Sequence, residues 1–220
     1  MRTLKENFFG NLGIGKVAKI EEWLKKYKIK NYTINSDFTI DVNGDVDLEK
    51  YTDKELPEYI QFNYVKTFYI SHSNIISLRG CPKECKEDFR CSDCEKLISL
   101  EGAPEKCEEF DCMGCTNLTS LEGAPEKCDG FYCQLCKNLT SLEGAPKECK
   151  EFCCDACKNL TSLEGAPKEC VKFDCEYCDN LTSLEGAPKE CESFNCRRCK
   201  GKFTKEDVLK VCKVKKIKCD

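Results

Sequence analysis

The sequence predicts an α+β solenoid whose short strands, one from each turn, pair into a parallel sheet on one face. A unit of about 21 residues recurs six times, and its phenylalanines are Phe89, Phe110, Phe131, Phe152, Phe173 and Phe194. Residues around each phenylalanine alternate between apolar and polar, which is typical of a half-buried strand. A fixed period in this range indicates one supersecondary unit stacked on copies of itself.

The regular units occupy residues 85–199. Aligned from Cys107, the unit is C-x-x-F-x-C-x-x-C-x-x-L-T-S-L-E-G-A-P-x-x. Phe110 and Cys112 are expected to point inward, and neighbouring strands to pair in parallel about 4.8 Å apart. The Gly123-Ala124-Pro125 segment interrupts the strand pattern and turns the chain onto the opposite face.

Imperfect copies of the unit extend through residues 45–84. Phe68-Tyr69-Ile70 takes the strand position, and Ser73 stands where the regular units have a cysteine. Val46-Asp47-Leu48 fits the strand position once more. The sequence therefore predicts eight strand positions, which would span roughly 35 to 40 Å.

Residues 1–44 are predicted to cap the N-terminal end, because the open ends of a solenoid need covering. An amphipathic helix is expected over residues 15–28. Its apolar face is formed by Val17, Ile20, Trp23, Leu24 and Tyr27. Alternation between Tyr32 and Val42 predicts one or two further strands.

Residues 200–220 are predicted to cap the other end. Thr204 and Asp207 have the spacing of an N-cap and an acidic third position in a short helix. The residues expected to cover the last turn are Val208, Leu209 and Val211. A strand is predicted over residues 214–219, where lysines either attract an anion or, in the interpretation we favour, protect an exposed sheet edge.

The unit resembles the leucine-rich repeat, whose core is L-x-x-L-x-L-x-x-N/C-x-L. The residues that match its apolar and N/C positions are Cys107, Phe110, Cys112, Cys115, Leu118 and Leu121. The match departs from the pattern once, because two residues rather than one separate Cys115 from Leu118.

The L-T-S-L-E-G-A-P-K-E tandem, from Leu97 to about Lys200, is similar to leucine-rich-repeat proteins common in bacteriophages and gut bacteria. The lead-in segments 30–35 and 41–46 are also similar to theirs. The resemblance implies a viral or prophage origin and supplies no activity. Many of these relatives have asparagine in the position of Cys115, a departure that keeps metal binding open.

Eighteen of the 22 cysteines fall into three columns that recur at the repeat period. The first thiol column is Cys85, Cys107, Cys128, Cys149, Cys170 and Cys191. The second is Cys91, Cys112, Cys133, Cys154, Cys175 and Cys196. The third is Cys94, Cys115, Cys136, Cys157, Cys178 and Cys199. All three columns coincide with inward positions of the unit.

These columns have three interpretations. Cys112, Cys115, Cys133 and Cys136 have the spacing of a four-thiolate zinc site. We favour reduced thiols packed as small buried hydrophobes, because zinc spacing arises automatically when inward positions lie three apart in a 21-residue period. Disulfides along a column are the third interpretation. No cofactor is predicted, and zinc is the alternative.

Four cysteines are predicted to lie outside the columns, namely Cys81, Cys153, Cys212 and Cys219. Cys153 stands between the inward Phe152 and Cys154, so it is expected to point outward and to react first with an alkylating reagent. It and His72, the single histidine, are expected nearly 20 Å apart, too far for a nucleophile and its base. No catalytic residue and no enzymatic function are predicted.

The outward strand residues between Asp45 and Arg197 form what we call the sheet face, with ten acidic and three basic side chains. They vary between units while the inward residues do not, as expected of a scaffold with a binding surface; a merely solvated surface is the alternative. A basic protein patch is the complement, and nucleic acid would be repelled. The predicted partner-binding residues are Tyr69, Glu109, Asp111, Met113, Tyr132, Cys153, Asp155, Asp174 and Glu176.

The sequence therefore predicts a non-enzymatic protein–protein interaction module. The alternatives are a structural, virion-associated repeat protein and a metal-binding cysteine-ladder protein. Residues 1–11 lack the apolar segment of a leader peptide, and no stretch approaches the ~18 apolar residues of a membrane span. The predicted location is the cytoplasm of a host cell, with no membrane partner and with the virion as the alternative.

Overall fold

The structure, a computed structural model, describes residues 11–220. Residues 1–10 lie outside the described residues. They include the start of the predicted N-terminal cap and most of the segment predicted not to be a leader peptide. Residues 11–220 form a β-solenoid of about nine turns with a parallel sheet and two helices. The predicted solenoid and its parallel sheet are thus confirmed.

The elements of residues 11–220 are short and evenly spaced. In chain order they are α1 (Asn11–Lys26), β1 (Tyr32–Ile34), β2 (Ile40–Asp47), β3 (Phe62–Tyr69), β4 (Glu84–Cys85), β5 (Asp88–Arg90), β6 (Glu109–Asp111), β7 (Lys127–Tyr132), β8 (Glu148–Cys153), β9 (Lys172–Asp174), β10 (Glu190–Asn195), α2 (Lys205–Val211) and β11 (Lys213–Lys218).

The strands follow one another across a single sheet. Their order is β1-β2-β3-β5-β6-β7-β8-β9-β10-β11, and β4 pairs with β3 beside this path. β1 pairs with β2 in the antiparallel sense, and all the later pairs are parallel. From β3 to β10 each phenylalanine is in register with the next, so the repeat period sets the strand register.

The phenylalanines form a continuous stack through the core. Neighbouring ring centroids from Phe68 to Phe194 lie 5.2 to 5.5 Å apart. Their planes deviate by at most 8° up to Phe173 and by 25° at the last step. All of these rings are fully buried. Parallel strands in identical register require this stacking, because equivalent side chains lie one strand spacing apart.

The Gly-Ala-Pro turns pack closely on the preceding turn of the solenoid. Gly165 has φ +89°, and a Cβ atom there would lie 2.3 Å from the backbone nitrogen of Glu143. Only glycine combines the left-handed backbone with so close an approach. The repeated glycine is therefore a requirement of the stack.

Helix α1 confirms the predicted amphipathic helix with shifted bounds. It begins earlier than residue 15 and ends at Lys26 rather than at residue 28, so the predicted face residue Tyr27 lies beyond its end. Ile20 and Leu24 are fully buried, and the Trp23 ring lies 6.5 Å from Tyr51 and 6.2 Å from the Phe62 ring of β3. The apolar stripe of the helix thus packs on the first turns.

Helix α2 begins as predicted, with a capping box. The Thr204 hydroxyl accepts a hydrogen bond from the Asp207 backbone N–H at 3.3 Å, and Asp207 Oδ2 accepts one from the Thr204 N–H at 3.1 Å. Val208 is buried, but Leu209 is 51% and Val211 38% exposed. The prediction that all three cover the last turn is therefore wrong for two of them. A seven-residue helix presents one narrow face to the turn beneath it.

Candidate functional site: the sheet face and the thiol columns

The strand register arranges the outward residues of the sheet face into rows. The first row is Asp88, Glu109, Gly130, Glu151, Lys172 and Ser193, and the second is Tyr69, Arg90, Asp111, Tyr132, Cys153, Asp174 and Asn195. The third is Met113, Gln134, Asp155, Glu176 and Arg197, joined by backbone hydrogen bonds from the residues that follow. All nine predicted partner-binding residues lie in these rows, and eight of them are partly exposed.

Basic residues neutralise part of this face. Arg90 contacts Glu109 at 3.7 Å, Lys172 contacts Glu151 at 3.5 Å and Arg197 contacts Glu176 at 3.2 Å. Strand β11 also extends the rows, because Lys216 pairs with Ser193 and Lys218 with Asn195. The described face thus has five basic residues rather than three, and its C-terminal edge is basic.

Asp111 and Asp174 face solvent, and their carboxylates also accept hydrogen bonds from backbone N–H groups. Asp111 Oδ1 accepts a hydrogen bond from the Met113 N–H at 2.9 Å. Asp174 Oδ1 accepts one from the Glu176 N–H at 3.2 Å, and both its oxygens accept from Asn195 Nδ2 at 3.0 Å. These two carboxylates therefore stabilise the backbone just after β6 and β9.

The surroundings of Glu109 and Asp155 disfavour their ionised forms. Burial, and then the neighbouring carboxylate of Asp174, raise the pKa of Asp155, with a further contribution from Glu176. Burial and Asp88 raise the pKa of Glu109, and Arg90 opposes them only in part. Like charges disfavour the ionised form, so an added cation would relieve this repulsion.

Tyr132 lies flat against the sheet. A Cβ atom on Gly130 would lie 2.7 Å from the Tyr132 hydroxyl and 2.8 Å from its ring. The ring therefore fills the space that a side chain occupies in the other turns. Burial, followed by Glu109 and Glu151, raises the pKa of Tyr132 to about 12. The face thus has a neutral aromatic surface beside two carboxylates.

Cys153 corrects one prediction. It lies in the second row, but it is only 5% exposed. Burial raises its pKa to about 12, and the nearby Lys172 opposes that effect. Strands lie about 4.8 Å apart, so the longer side chains of Tyr132 and Asp174 on either side cover a short thiol. The expectation that Cys153 is exposed is therefore wrong, and the ground for its predicted reactivity is removed.

The third thiol column acts as a ladder of hydrogen-bond donors. Each of its thiols donates to the backbone carbonyl 24 residues earlier, at 3.1 to 3.4 Å. Ser73, in the same position, contacts the Cys94 sulfur at 3.1 Å. A small buried side chain with one donor satisfies the carbonyl at each corner of the solenoid. The packed-thiol interpretation is supported, and the sequence did not reveal this role as a donor.

The four thiols of the alternative zinc site do not converge. Cys115, Cys133 and Cys136 donate to the carbonyls of Cys91, Cys153 and Cys112. Within residues 11–220, no group of three or more histidine, cysteine or carboxylate side chains is arranged to hold a metal ion. Zinc needs a tetrahedral set of thiolates, which this arrangement does not present.

Cys212 lies at the end of α2, outside the column register as predicted, because the sheet places Val214 opposite Cys191. Its Sγ lies 3.6 Å from that of Cys191, 21 residues earlier. The repeat period did not predict this contact, because residues that pair between β10 and β11 are 23 residues apart, as Glu190 and Lys213 are. Cys170 in the first thiol column is the least buried member, and with Cys219 it is one of two thiols that are only partly covered.

Comparisons with known protein families, with curated proteins and with solved structures found no match to the chain. In the part of the chain that the structure describes, neither helix has the length and apolar character needed to cross a membrane.

Proposed function

We propose that the chain is a protein-interaction module of the leucine-rich-repeat type, whose sheet face binds a basic segment of a partner protein. The observation that supports it is the group of adjacent carboxylates formed by Asp155, Asp174 and Glu176, where burial first and then the two neighbouring carboxylates raise the pKa of Asp155. A lysine or arginine side chain from a partner would relieve this repulsion, and electrostatic complementarity would speed association.

The proposal includes the two helices as caps and a thiol-reducing location. Buried Trp23 and Val208 on the two helices support capping, because the end turns would otherwise expose apolar side chains. The third column supports a reducing location, since its S–H groups act as donors and a disulfide would remove them. The bacteriophage origin and the non-enzymatic character stay predictions.

The test uses two double variants that each remove two negative charges. Glu109→Gln with Asp155→Asn neutralises the sheet face, whereas Glu143→Gln with Glu164→Gln neutralises exposed residues of the Gly-Ala-Pro side. The pKa values of Glu109 and Asp155 are both raised on balance, despite the Arg90 contact to Glu109, so the first variant is expected to fold.

The probes are three peptides of equal length, one rich in lysine and arginine, one neutral and one acidic. Wild type should retain the basic peptide, with an affinity that falls as salt rises. The Glu109/Asp155 variant should bind it several-fold more weakly, and the Glu143/Glu164 variant as wild type does. Equal retention of all three peptides, or equal losses in both variants, would contradict the proposal.

A further inference from the structure

The thiols of Cys191 and Cys212 face each other at the C-terminal end of the solenoid. Their Sγ atoms are 3.6 Å apart, and the residues are 4% and 2% exposed. Cys191 belongs to β10, and Cys212 connects α2 to β11, the strand that pairs with β10. The two sulfurs therefore link the last regular turn to the terminal segment, defined here as residues 204–220.

This contact has a different geometry from the sulfur contacts of the third column. Cys178 and Cys199 interact with each other, but each also donates to a carbonyl oxygen, at 3.4 and 3.1 Å. The Cys191 sulfur has Cys170 on one side and Cys212 on the other, and it contacts the Cys212 sulfur directly at 3.6 Å. A disulfide places its sulfurs about 2.0 Å apart. The sulfur of Cys191 on β10 and that of Cys212 just before β11 would need to approach by roughly 1.6 Å, which side-chain rotation and small backbone movements supply.

We propose that Cys191 and Cys212 form a disulfide bond when the reduced protein meets a small-molecule disulfide such as oxidised glutathione. One cysteine thiolate attacks glutathione disulfide and releases one glutathione thiol. The second thiolate attacks the resulting mixed disulfide and releases the other. Two protein thiols and one glutathione disulfide thus become one protein disulfide and two glutathione thiols.

The position of the pair at the end of the array gives it access to the oxidant. Burial raises the pKa of Cys212 to about 12, so the thiolate forms only when the terminal segment opens. A terminal unit contacts one neighbour, whereas an interior unit contacts two. Its exposed ion pairs, Lys213–Glu190 at 3.2 Å and Lys215–Glu192 at 2.7 Å, add little resistance to opening.

The bond would fasten the terminal segment covalently to the solenoid. In the reduced protein, β11 is held by its ladder to β10, those two ion pairs and buried Val208. Closing a loop between residues 21 apart restricts the opened state. Oxidation would therefore reduce fraying at the basic edge of the sheet face.

The test treats the reduced full-length protein with oxidised glutathione, blocks the remaining thiols with iodoacetamide and maps disulfides by tryptic digestion. The expected first product joins residues 190–197 to residues 211–213. Since the first peptide contains both Cys191 and Cys196, fragmentation must assign the bond to Cys191. Hydrogen exchange of the Val214 and Ile217 amides should slow at least several-fold on oxidation.

Cys212→Ser should abolish both the crosslink and the slower exchange, and Cys107→Ser, an interior first-column control, should leave both. Mixed disulfides without the crosslink, or a different pair oxidised first in wild type, would overturn the proposed bond. A Cys191–Cys212 crosslink with unchanged hydrogen exchange at Val214 and Ile217 would show that the bond forms but does not fasten the terminal segment, and would overturn that part of the proposal. The disulfide map is measured on the wild-type protein, so it still tests the proposed bond if one of the variants fails to fold.

Discussion

The thiol of Cys136 donates a hydrogen bond to the backbone carbonyl of Cys112, 3.3 Å away and 24 residues earlier in the chain. The same relationship recurs in every regular turn, and Ser73 occupies the position in an irregular one. Cysteine in this fold is thus a hydrogen-bonding core residue, which accounts for a tenth of the chain being cysteine in a structure whose described thiols are all unpaired.

We expect Cys136→Ala to destabilise the protein by about 2 kcal/mol, because it removes one of the two hydrogen bonds to the buried Cys112 carbonyl, leaving the one from the Cys115 N–H, and opens a small void. Cys136→Ser should lose less stability, because the serine hydroxyl can still donate a hydrogen bond to the Cys112 carbonyl. Urea denaturation in reducing buffer, followed by circular dichroism, measures both. Lys137→Ala, at the exposed neighbouring residue, is the control, and an alanine variant as stable as wild type would refute the donor role.

Gly165→Ala and Gly15→Ala should have opposite effects on the stability of the folded protein. The first forces a Cβ atom toward the Glu143 nitrogen at φ +89°, which should cost about 3 kcal/mol. The second places a methyl group on an exposed helix, where no atom of residues 11–220 beyond the adjacent helix backbone lies within 4 Å, and it should raise the free energy of unfolding by about 0.5–1 kcal/mol. Melting temperatures of the two variants test this, and similar shifts would contradict it.

The rate at which each thiol is alkylated should follow its exposure at the surface of the solenoid. Iodoacetamide is expected to modify Cys170 and Cys219 in the native protein well before Cys153, because those two thiols are only partly covered. Cys153 is buried and its pKa is raised to about 12. Timed labelling with mass spectrometry measures the order, and a Cys153 that reacts with the first group would show that the face around it is open.

Asp207 should make the start of α2 sensitive to acid. Hydrogen bonds from the Thr204 hydroxyl and N–H, with a further one from Lys210, lower its pKa to about 2 from an ordinary 3.8. Because the folded-state pKa is depressed, the stabilisation is full above the ordinary value and is lost as pH falls toward 2. NMR titration should find this low pKa in wild type and a higher one in Thr204→Ala. Equal values would exclude the capping box as the cause.

The sheet face was only partly predictable. Alternation around Phe110 and its copies placed Glu109, Asp111 and Asp155 on the outside correctly. The sequence could not show that Tyr132 lies across Gly130, or that Asp111 and Asp174 accept backbone hydrogen bonds. Those facts depend on side-chain direction and on atoms from neighbouring turns, which no local pattern encodes.

The sequence by itself determined the architecture, because a 21-residue period with a fixed Phe, Cys and Gly in each copy admits one register when the copies stack. The tertiary structure decided which thiols are exposed and what each contacts. Cys153 is outward by alternation yet buried by its neighbours. Cys212 lies one period after Cys191 in the chain, but the sheet pairs Cys191 with Val214, and the two thiols meet because β11 adds to β10. Periodicity fixes where a residue lies along the solenoid, whereas exposure and bonding depend on the side chains of adjacent turns.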